Sequence, residues 1–446
     1  MDQETAATLL LGIETDRLVV FCGAGLSMAP PSELPSARRL AEFCAQKYQL
    51  TTGTQLNEPE RSDLEAMAVY FKRRDQLRAF FIQGLVPWGD FRGTPNCGHD
   101  ALADFLACGI TEFVISTNVD CLIEDAALRL GEKYFYPVVN ENDLNRGGLL
   151  HKPLIKLHGC GFRDPDNTVW CVDQLTEAPV NTRIEAFKVW LRANLPQRDL
   201  LVVGFWSDWS YLNGLLEDCV SDIEPRTVIL VDPGNPDELE QKAPGLWNWA
   251  QSNGVTFRHI QESGAEFLED LRGRFSRQFL IKILQDSREM YEDISDKPYP
   301  EEVSIAANLS AIDLYCLRRD FCGEPVNDVP RLKRPVAGQM IIGAIHLLLL
   351  SSGANLSGPF YEWKGRLIRL ILANGQTLSS VKRKFSNEPP SPIPVNQTVC
   401  VGAFDDGGAP LNLVRSGMHG GIVRNEPTSN WITDKDLIDE IGENQE

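Results

Sequence analysis

The sequence predicts an α/β fold: a Rossmann-like doubly wound parallel sheet, followed by a smaller mixed α+β C-terminal domain. Up to about residue 284, short apolar runs alternate with segments whose apolar residues recur at helical spacing. This alternation stops at an acidic, proline-containing stretch near residues 291–304. A chain of 446 residues is long enough for two domains. We therefore expect a first domain over 1–285, a linker over 286–304 and a C-terminal domain over 305–446.

The first strand is predicted at Leu18–Cys22, an apolar run that suits a strand buried on both faces of a sheet. The motif Gly23-Ala24-Gly25 follows it, and then Ser27. Glycines let the backbone turn tightly and approach a ligand, and such a turn can offer its amides to an anion such as a phosphate. The proline-rich stretch 28–35 follows, so we expect the next helix only from Ser36.

Polar residues follow several of the later predicted strands. Because the carboxyl ends of parallel strands share one edge of the sheet, these residues are expected to converge on one cleft. They are Asn118 and Asp120 after strand 110–116, His158 after 154–157, Gly204, Ser207 and Asp208 after 200–203, and Asp232 after 227–231. A sixth strand is predicted over 255–259, before a helix over 267–284.

Each of these features also has a purely structural interpretation. The glycines can simply make a turn, Asn118 and Asp120 can cap the following helix, and Asp232 before Pro-Gly can form a turn. A histidine at a strand end, such as His158, is usually a half-buried structural residue. The dehydrogenase fingerprint is absent, because it requires a glycine where Met28 stands.

Composition limits the classes of partner. The net charge of −19 argues against broad electrostatic attachment to nucleic acid or anionic membranes. The start Met-Asp-Gln-Glu shows no secretion leader, and the apolar stretch 340–350 is too short to span a bilayer. Eleven cysteines occur without a Cys-x-x-Cys pair, which predicts reduced cysteines and no structural zinc. We expect a cytoplasmic protein without a membrane span or direct nucleic-acid binding.

The C-terminal domain shows no chemical motif. Residues 335–350 are expected to be helical, and residues 399–404 to form a strand. A hairpin over 365–383 is expected to turn at Asn374-Gly375, a dipeptide typical of tight hairpin turns.

Residues 1 to about 275 resemble sirtuin-like NAD-binding domains, because five short motifs occur in the order typical of that family. The motifs are Gly-Ala-Gly-Leu-Ser27, Pro95-Asn-x-x-His99, Ser-Thr-Asn-Val-Asp120, Lys-Leu-His-Gly159 and Val-Gly-Phe-x-Ser-Asp208. The resemblance implies a role for each matching residue. The NAD phosphates and ribose would contact Gly23, Ala24, Gly25 and Ser27, and the nicotinamide end would lie near Asn118 and Asp120. The catalytic base would be His158, and His99 would be structural. The adenosine pocket would include Gly204, Ser207, Asp208 and, less directly, Asp232.

Two departures separate the chain from classical deacetylating sirtuins. Met-Ala-Pro-Pro-Ser-Glu follows Ser27 in place of the family's Gly-Ile-Pro-Asp-Phe-Arg. Only Cys160 and Cys171 lie between His158 and the fourth strand, so the family's four-cysteine zinc module is missing. The pattern looks like the zinc-free type found in bacterial anti-phage defence NADases.

This resemblance implies an NAD glycohydrolase that cleaves NAD to nicotinamide and ADP-ribose, with NAD as substrate and no zinc. Asp120 would stabilise the oxocarbenium-like state, Asn118 would orient a water and His158 would accept its proton. The resemblance also implies a homo-oligomer and a separate HerA-like ATPase partner. Two alternatives stay open: an NAD-dependent protein deacylase or ADP-ribosyltransferase, and a non-catalytic sensor of NAD or ADP-ribose.

Overall fold

The structure is a computed structural model with two compact units, Met1–Glu269 and Asp270–Glu446. It describes residues 1–131, 137–146, 153–204, 210–252, 254–300, 305, 307–389, 393–404 and 430–443. The domain limits expected from the sequence stay a prediction. Within the stretch expected to be a linker, residues 288–295 are helical.

The first unit is built on one six-stranded sheet in which every strand pair is parallel. The strands are β1 Leu18–Cys22, β2 Val114–Ser116, β3 Leu154–Lys156, β4 Asp199–Val203, β5 Thr227–Val231 and β6 Thr256–Ile260. Their order is β3-β2-β1-β4-β5-β6. The order reverses between β1 and β4, and ligands bind doubly wound sheets beyond the carboxyl ends of the strands at such a point.

Helices connect these strands. They are α1 Gln3–Glu14, α2 Ala24–Met28, α3 Ala37–Thr52, α4 Leu64–Lys72, α5 Cys97–Cys108, α6 Leu122–Arg129, α7 Glu141–Arg146, α8 Val180–Asn194, α9 Ser210–Val220, α10 Pro236–Lys242, α11 Pro244–Ala250 and α12 Gly264–Asp286, which crosses the boundary between the units. A π-helix spans Leu77–Leu85, and 3-10 turns span Trp88–Phe91, Pro165–Asn167 and Val172–Thr176.

Local signals explain where these elements begin and end. Ser36 caps α3 by accepting a hydrogen bond from the Arg39 amide, and Gly53 ends the helix with φ 73°. All five residues of β1, of β4 and of β5 are buried, as expected for strands with both faces covered. The predicted fold class, a Rossmann-like parallel sheet followed by a smaller mixed domain, is therefore confirmed.

Two predictions for the first unit were wrong in detail. The second strand begins at Val114, not at residue 110, because Gly109 ends α5 in the left-handed conformation and the backbone first bonds β1 at Glu112, whose amide donates to the Leu18 carbonyl at 3.1 Å. The helix α2 begins at Ala24, directly after Gly23, whereas we expected the next helix only from Ser36, after the proline-rich stretch 28–35. This helix is only five residues long, too short for a helical repeat to show in the sequence.

The second unit contains a mixed five-stranded sheet of order β11-β10-β9-β8-β7. Its strands are β7 Asn355–Ser357, β8 Phe360–Trp363, β9 Arg366–Leu372, β10 Gln397–Val401 and β11 Asn430–Thr433. The helices after α12 are α13 Arg288–Ser295, α14 Ala311–Phe321, α15 Met340–Ser351, α16 Leu378–Phe385 and α17 Asp434–Gly442. A 3-10 turn spans Ala337–Gln339. The β7–β8 and β8–β9 pairs are antiparallel, and the β9–β10 and β10–β11 pairs are parallel.

The hairpin predicted around Asn374-Gly375 is wrong. Both residues have positive φ, 51° and 69°, but this turn leads into α16. The hairpin lies earlier, between β8 and β9, and turns at Lys364-Gly365, where φ is 50° and 72°. No helix in the described part of the chain is long and apolar enough to cross a bilayer.

Candidate active site

The turn after β1 is held against the end of β4. The Gly23 amide donates to the Val203 carbonyl at 3.1 Å, and the Gly25 amide donates to the Gly204 carbonyl at 2.9 Å. A Cβ added at Gly25 would lie 2.8 Å from Gly204 Cα, so both positions need glycine for this close approach. The two amides therefore join neighbouring loops at the point where strand order reverses, and the exposed Ala24 begins α2 beside them.

Ser27 on α2 is the centre of a buried polar network. Its hydroxyl donates to Asp120 Oδ2 at 2.9 Å, and its Oγ lies 3.0 Å from Asn118 Nδ2 and 3.2 Å from His99 Nε2. Ser27 itself is 2% exposed. Because the single hydroxyl hydrogen goes to Asp120, Oγ accepts from both the Asn118 amide and the His99 ring.

The protonation of His99 follows from its two neighbours. Its Nδ1 accepts the Asn96 backbone N–H at 3.1 Å in the capping box at the start of α5. Burial lowers the pKa of His99 to about 4, with Asp120 opposing, so the ring is neutral and carries its hydrogen on Nε2. An Nε2–H donor cannot take a proton from Ser27. The Ser-His-Asp arrangement is thus a positioning network and not a nucleophile with its base.

Asn118 has one polar atom without a hydrogen-bond partner in the described part of the chain. Its Nδ2 is directed to Ser27, while its Oδ1 is buried and accepts no hydrogen bond from the described residues. Leaving a buried acceptor unpaired costs about 1–3 kcal/mol. A hydroxyl, amide or water hydrogen supplied by a ligand would satisfy Oδ1, so Asn118 is the strongest ligand-binding candidate of this edge.

The two carboxylate oxygens of Asp120 make different contacts, one with the start of α6 and one with Ser27. Its Oδ1 accepts the Leu122 amide at 3.0 Å at the start of α6, which is the capping role considered from the sequence. Its Oδ2 accepts the Ser27 hydroxyl, which ties the loop after β2 to α2. The carboxyl group is thereby fixed in place next to Asn118.

His158 lies just beyond β3, the neighbour of β2, and is 3% exposed. Burial and then the Arg183 guanidinium lower its pKa to about 3, although a hydrogen bond with the Thr117 backbone raises it. The imidazole is therefore neutral at neutral pH, as a proton acceptor must be. Arg183 is buried as well, and its Nη1 donates to the Asn167 carbonyl at 3.0 Å.

The remaining predicted site residues have different outcomes. Gly204 contacts the glycine turn as described above. Ser207 and Asp208 lie outside the described residues. Asp232 Oδ1 accepts the Gly234 amide at 2.8 Å, which agrees with its structural interpretation as a turn former.

Sequence reasoning missed a charged cluster beneath the site, formed by Lys156, Glu124, Cys121 and Cys160. Lys156 is the last residue of β3 and is 1% exposed. Its Nζ donates to the Asp120 carbonyl, and it lies 2.8 Å from Glu124 Oε1 and 3.7 Å from Cys160 Sγ. Burial opposes the charge on Lys156, but Glu124 and the other neighbouring acidic groups raise its pKa. A lysine at the end of an apolar strand was the available signal, because a buried ammonium requires such partners.

The same cluster contains the potential metal-binding atoms of this edge. Cys121, Glu124 and Cys160 each offer one atom, all within 4.8 Å of one another. The Lys156 ammonium already provides a positive charge to Glu124 and Cys160. The expectation that the protein needs no zinc is left untested by this arrangement.

The parallel sheet and its reversal of strand order define the first unit as a Rossmann-like domain, and the polar network at its carboxyl edge is a candidate ligand site. Residues 112–257 match the family model of the SIR2-like domain. This part of the first unit is therefore similar to the SIR2-like domain. The matched region includes Asn118, Asp120 and His158, and it begins after the glycine turn.

Solved sirtuin structures are distantly similar to this chain. A Sir2 homologue in complex with NAD is 15% identical, with 61% of this chain and 92% of that chain covered and a TM-score of 0.31. A structure concerning sirtuin substrate affinity is 16% identical, with 61% and 98% covered and a TM-score of 0.35. A variant Sir2 homologue bound to ADP-ribose is 15% identical, with 61% and 95% covered and a TM-score of 0.32. No curated protein sequence matches this chain significantly.

Proposed function

We propose that the first unit is an NAD glycohydrolase that converts NAD and water to nicotinamide, ADP-ribose and a proton. The supporting observation is the unpartnered, buried Oδ1 of Asn118, held beside Asp120 at the edge where the strand order of a SIR2-like domain reverses. Asn118 would accept a hydrogen bond from the attacking water or from a ribose hydroxyl. Its Nδ2 contact with Ser27 fixes the direction in which Oδ1 points.

The chemistry needs few protein groups. Water oxygen attacks C1′ of the nicotinamide ribose, the C–N bond breaks, and its electron pair returns to the nicotinamide ring. The ring is cationic in NAD and leaves neutral, so no general acid is needed. The transition state resembles an oxocarbenium ion, which the Asp120 carboxylate would stabilise. His158, neutral near pH 7, would accept the proton lost by water.

The test is nicotinamide release from NAD by the purified full chain, followed by chromatography. We expect turnover by the wild type and loss of at least about 100-fold in Asn118→Ala and in His158→Ala. Asn213→Ala is the matched control. Asn213 is also buried in the first unit, but its Nδ2 donates to the carbonyl of Lys242, the last residue of α10. Full turnover in both site variants would contradict the residue assignment.

Two further readouts separate hydrolysis from the alternatives. Transfer of label from an acyl-peptide or from adenine-labelled NAD to a protein would indicate a deacylase or an ADP-ribosyltransferase. A rise in melting temperature with NAD or ADP-ribose, without turnover, would indicate a sensor. A wild-type chain that neither cleaves NAD nor melts higher in its presence would contradict the proposal.

We also propose, from the family resemblance, that the chain depletes NAD in anti-phage defence as a homo-oligomer with a separate HerA-like ATPase. Mass measurement of the purified chain tests self-association. Co-expression with a HerA-like ATPase, followed by co-purification and nicotinamide assay, tests the partnership. A monomeric mass that does not change with the ATPase would contradict this arrangement.

A further inference from the structure

Two thiols meet directly below the candidate active site. Cys121 Sγ and Cys160 Sγ are 3.4 Å apart, in hydrogen-bond contact. Cys121 follows Asp120 and precedes the first residue of α6, and Cys160 comes two residues after His158. The pair therefore connects the loop after β2 to the loop after β3, the two loops that bear Asn118, Asp120 and His158. We propose that Cys121 and Cys160 form a reversible disulfide that bridges these loops.

The charge around the sulfurs favours a thiolate. The Lys156 ammonium lies 3.7 Å from Cys160 Sγ and is inaccessible to water. The hydrogen-bond contact with Cys121, together with Lys156, lowers the pKa of Cys160 against the effect of burial. An ammonium beside two thiols in contact favours one thiolate that shares its partner's proton, and thiolate is the reactive form in oxidation and disulfide exchange.

The backbone connects the two loops close to the cysteines. The amide of Gly161, the residue after Cys160, donates at 2.9 Å to the carbonyl of Val119, two residues before Cys121. A disulfide requires a sulfur–sulfur distance of about 2.05 Å, so the two sulfurs must approach by roughly 1.4 Å from their 3.4 Å separation. Trp88 packs directly on this loop: a Cβ added at Gly161 would lie 2.0 Å from the indole Cζ3.

Access and chemistry assign different roles to the two sulfurs. Cys121 is partly exposed and Cys160 is fully buried, so a hydroperoxide reaches Cys121 first. After the shared proton moves to Cys160, the Cys121 thiolate attacks peroxide oxygen; an S–O bond forms, the O–O bond breaks, and the departing hydroxide takes the proton from Cys160. The Cys160 thiolate then attacks the sulfur of the Cys121 sulfenic acid, and hydroxide leaves and takes a proton from solvent. Both sulfurs are oxidised, and hydrogen peroxide is reduced to two waters.

Oxidation changes the environment of the site. It removes the negative charge shared by the sulfurs and leaves Lys156 with Glu124 and the Asp120 carbonyl as its partners. It also fixes the separation of the Asp120 and His158 loops covalently. The disulfide itself does not depend on the proposed NAD chemistry, so the failure of one proposal leaves the other standing.

The experiment treats the full reduced chain with hydrogen peroxide at pH 7, blocks remaining thiols with N-ethylmaleimide, and maps linked peptides by mass spectrometry. We expect two of the eleven thiols to become protected, a Cys121–Cys160 linkage, and recovery of both thiols with dithiothreitol. Cys121→Ser and Cys160→Ser should each abolish the linkage. Cys97→Ser is the matched control, because Cys97 is also partly exposed but its Sγ lies 3.5 Å from the Ala265 carbonyl.

The remaining outcomes would overturn the proposal. Absence of the linkage in the wild type, or the same linked thiols after Cys121→Ser, would show that the pair does not react. Stoichiometric zinc in the purified reduced chain that is lost in Cys121→Ser would show that these cysteines hold a metal instead.

Discussion

In the first unit, the buried polar groups Asn118, Asp120 and Lys156 lie at or just beyond the ends of parallel strands, whereas in the second unit the charged side chain of Arg369, which is 13% exposed, lies within a strand. Arg369 on β9 donates from Nε and Nη2 to Asp320 at 2.7 Å each and from Nη1 to Glu388 at 2.7 Å. That ion cluster pairs its members with one another. Asn118 Oδ1 has no such partner among the residues that the structure describes.

An unpaired atom alone does not distinguish the two units. His346 Nε2 in the second unit also lacks a partner among the described residues, yet His346 is fully buried within α15, between the rings of Phe321 and Tyr361. Asn118 combines an unpaired acceptor with a position at a strand end. This combination, and not buried polarity in general, indicates a ligand site.

The largest expected effect is on the ion cluster of the second unit. Arg369→Met removes the cation that pairs with Asp320 and Glu388 and leaves Asp320 only the Arg319 Nη2 at 3.5 Å, which should destabilise this unit by about 3–5 kcal/mol. Urea unfolding followed through the reactivity of buried Cys400 measures it. Arg366→Met, on the same strand but partly exposed and paired with Glu440, should change stability by less than about 1 kcal/mol. Equal losses in the two variants would remove the contrast between the units.

The next effect is on the Ser27 network of the first unit. Ser27→Ala deprives Asp120, Asn118 and His99 of one hydrogen-bond partner each, so we expect a stability loss of about 2–3 kcal/mol and a fall in NAD hydrolysis of about tenfold or more. Thr111→Val is the control, because Thr111 is a buried hydroxyl that bonds backbone carbonyls at the opposite end of β1. A similar activity loss in both variants would mean that Ser27 acts only through stability.

Acid should destabilise the first unit more than the second. Burial lowers the pKa of His99 and His158 in the first unit and of His346 in the second from 6.5 to about 4, 3 and 4. Between these values the unfolded chain binds more protons, so the stability present above pH 6.5 is lost as pH falls toward 4. These histidines contribute a slope of about 2.7 kcal/mol per pH unit in the first unit and about 1.4 in the second.

Dithiodipyridine labelling during urea unfolding, with the labelled Cys44 and Cys400 peptides quantified by mass spectrometry, reports the two units separately at pH 7, 6 and 5. His346→Phe should flatten only the slope reported by Cys400. Equal slopes for both reporters in the wild type would refute the unequal distribution of neutral histidines.

The smallest effect concerns the close backbone contact between the β1 and β4 loops. Gly25→Ala places a Cβ 2.8 Å from Gly204 Cα, which should cost about 1–3 kcal/mol, measured by urea unfolding. Gly214→Ala, at an exposed position of α9 with no atom within 4 Å of the added Cβ, should instead stabilise by about 0.5–1 kcal/mol. If Gly25→Ala stabilised as well, the contact would not require glycine.

The parallel sheet was predictable because its buried strands are short apolar runs separated by helical patterns. The sequence pattern predicted that Ser27, Asn118 and Asp120 lie at the same edge of the sheet, because each follows a predicted strand. It could not predict the hydrogen bonds among them, because strand ends alone do not determine side-chain contacts. The misplaced hairpin has a physical cause. Asn374-Gly375 does form a tight turn, but Leu378, Val381 and Phe385 recur at helical spacing, a signal that favours α16 over a strand. The bonds from the Gly23 and Gly25 amides to carbonyls of the β4 loop could not be predicted, because strand order is not visible in one sequence.

The packing of Trp88 against Gly161 gives the thiol pair an optical consequence. A disulfide quenches a nearby indole, because it accepts an electron from the excited ring, whereas distant tryptophans keep their emission. Trp88 is one of nine tryptophans, and it rests on the residue that follows Cys160. Oxidation should therefore reduce the tryptophan emission in part, and reduction should restore it. The redox state of the thiol pair can thus be measured by intrinsic fluorescence in the unlabelled protein.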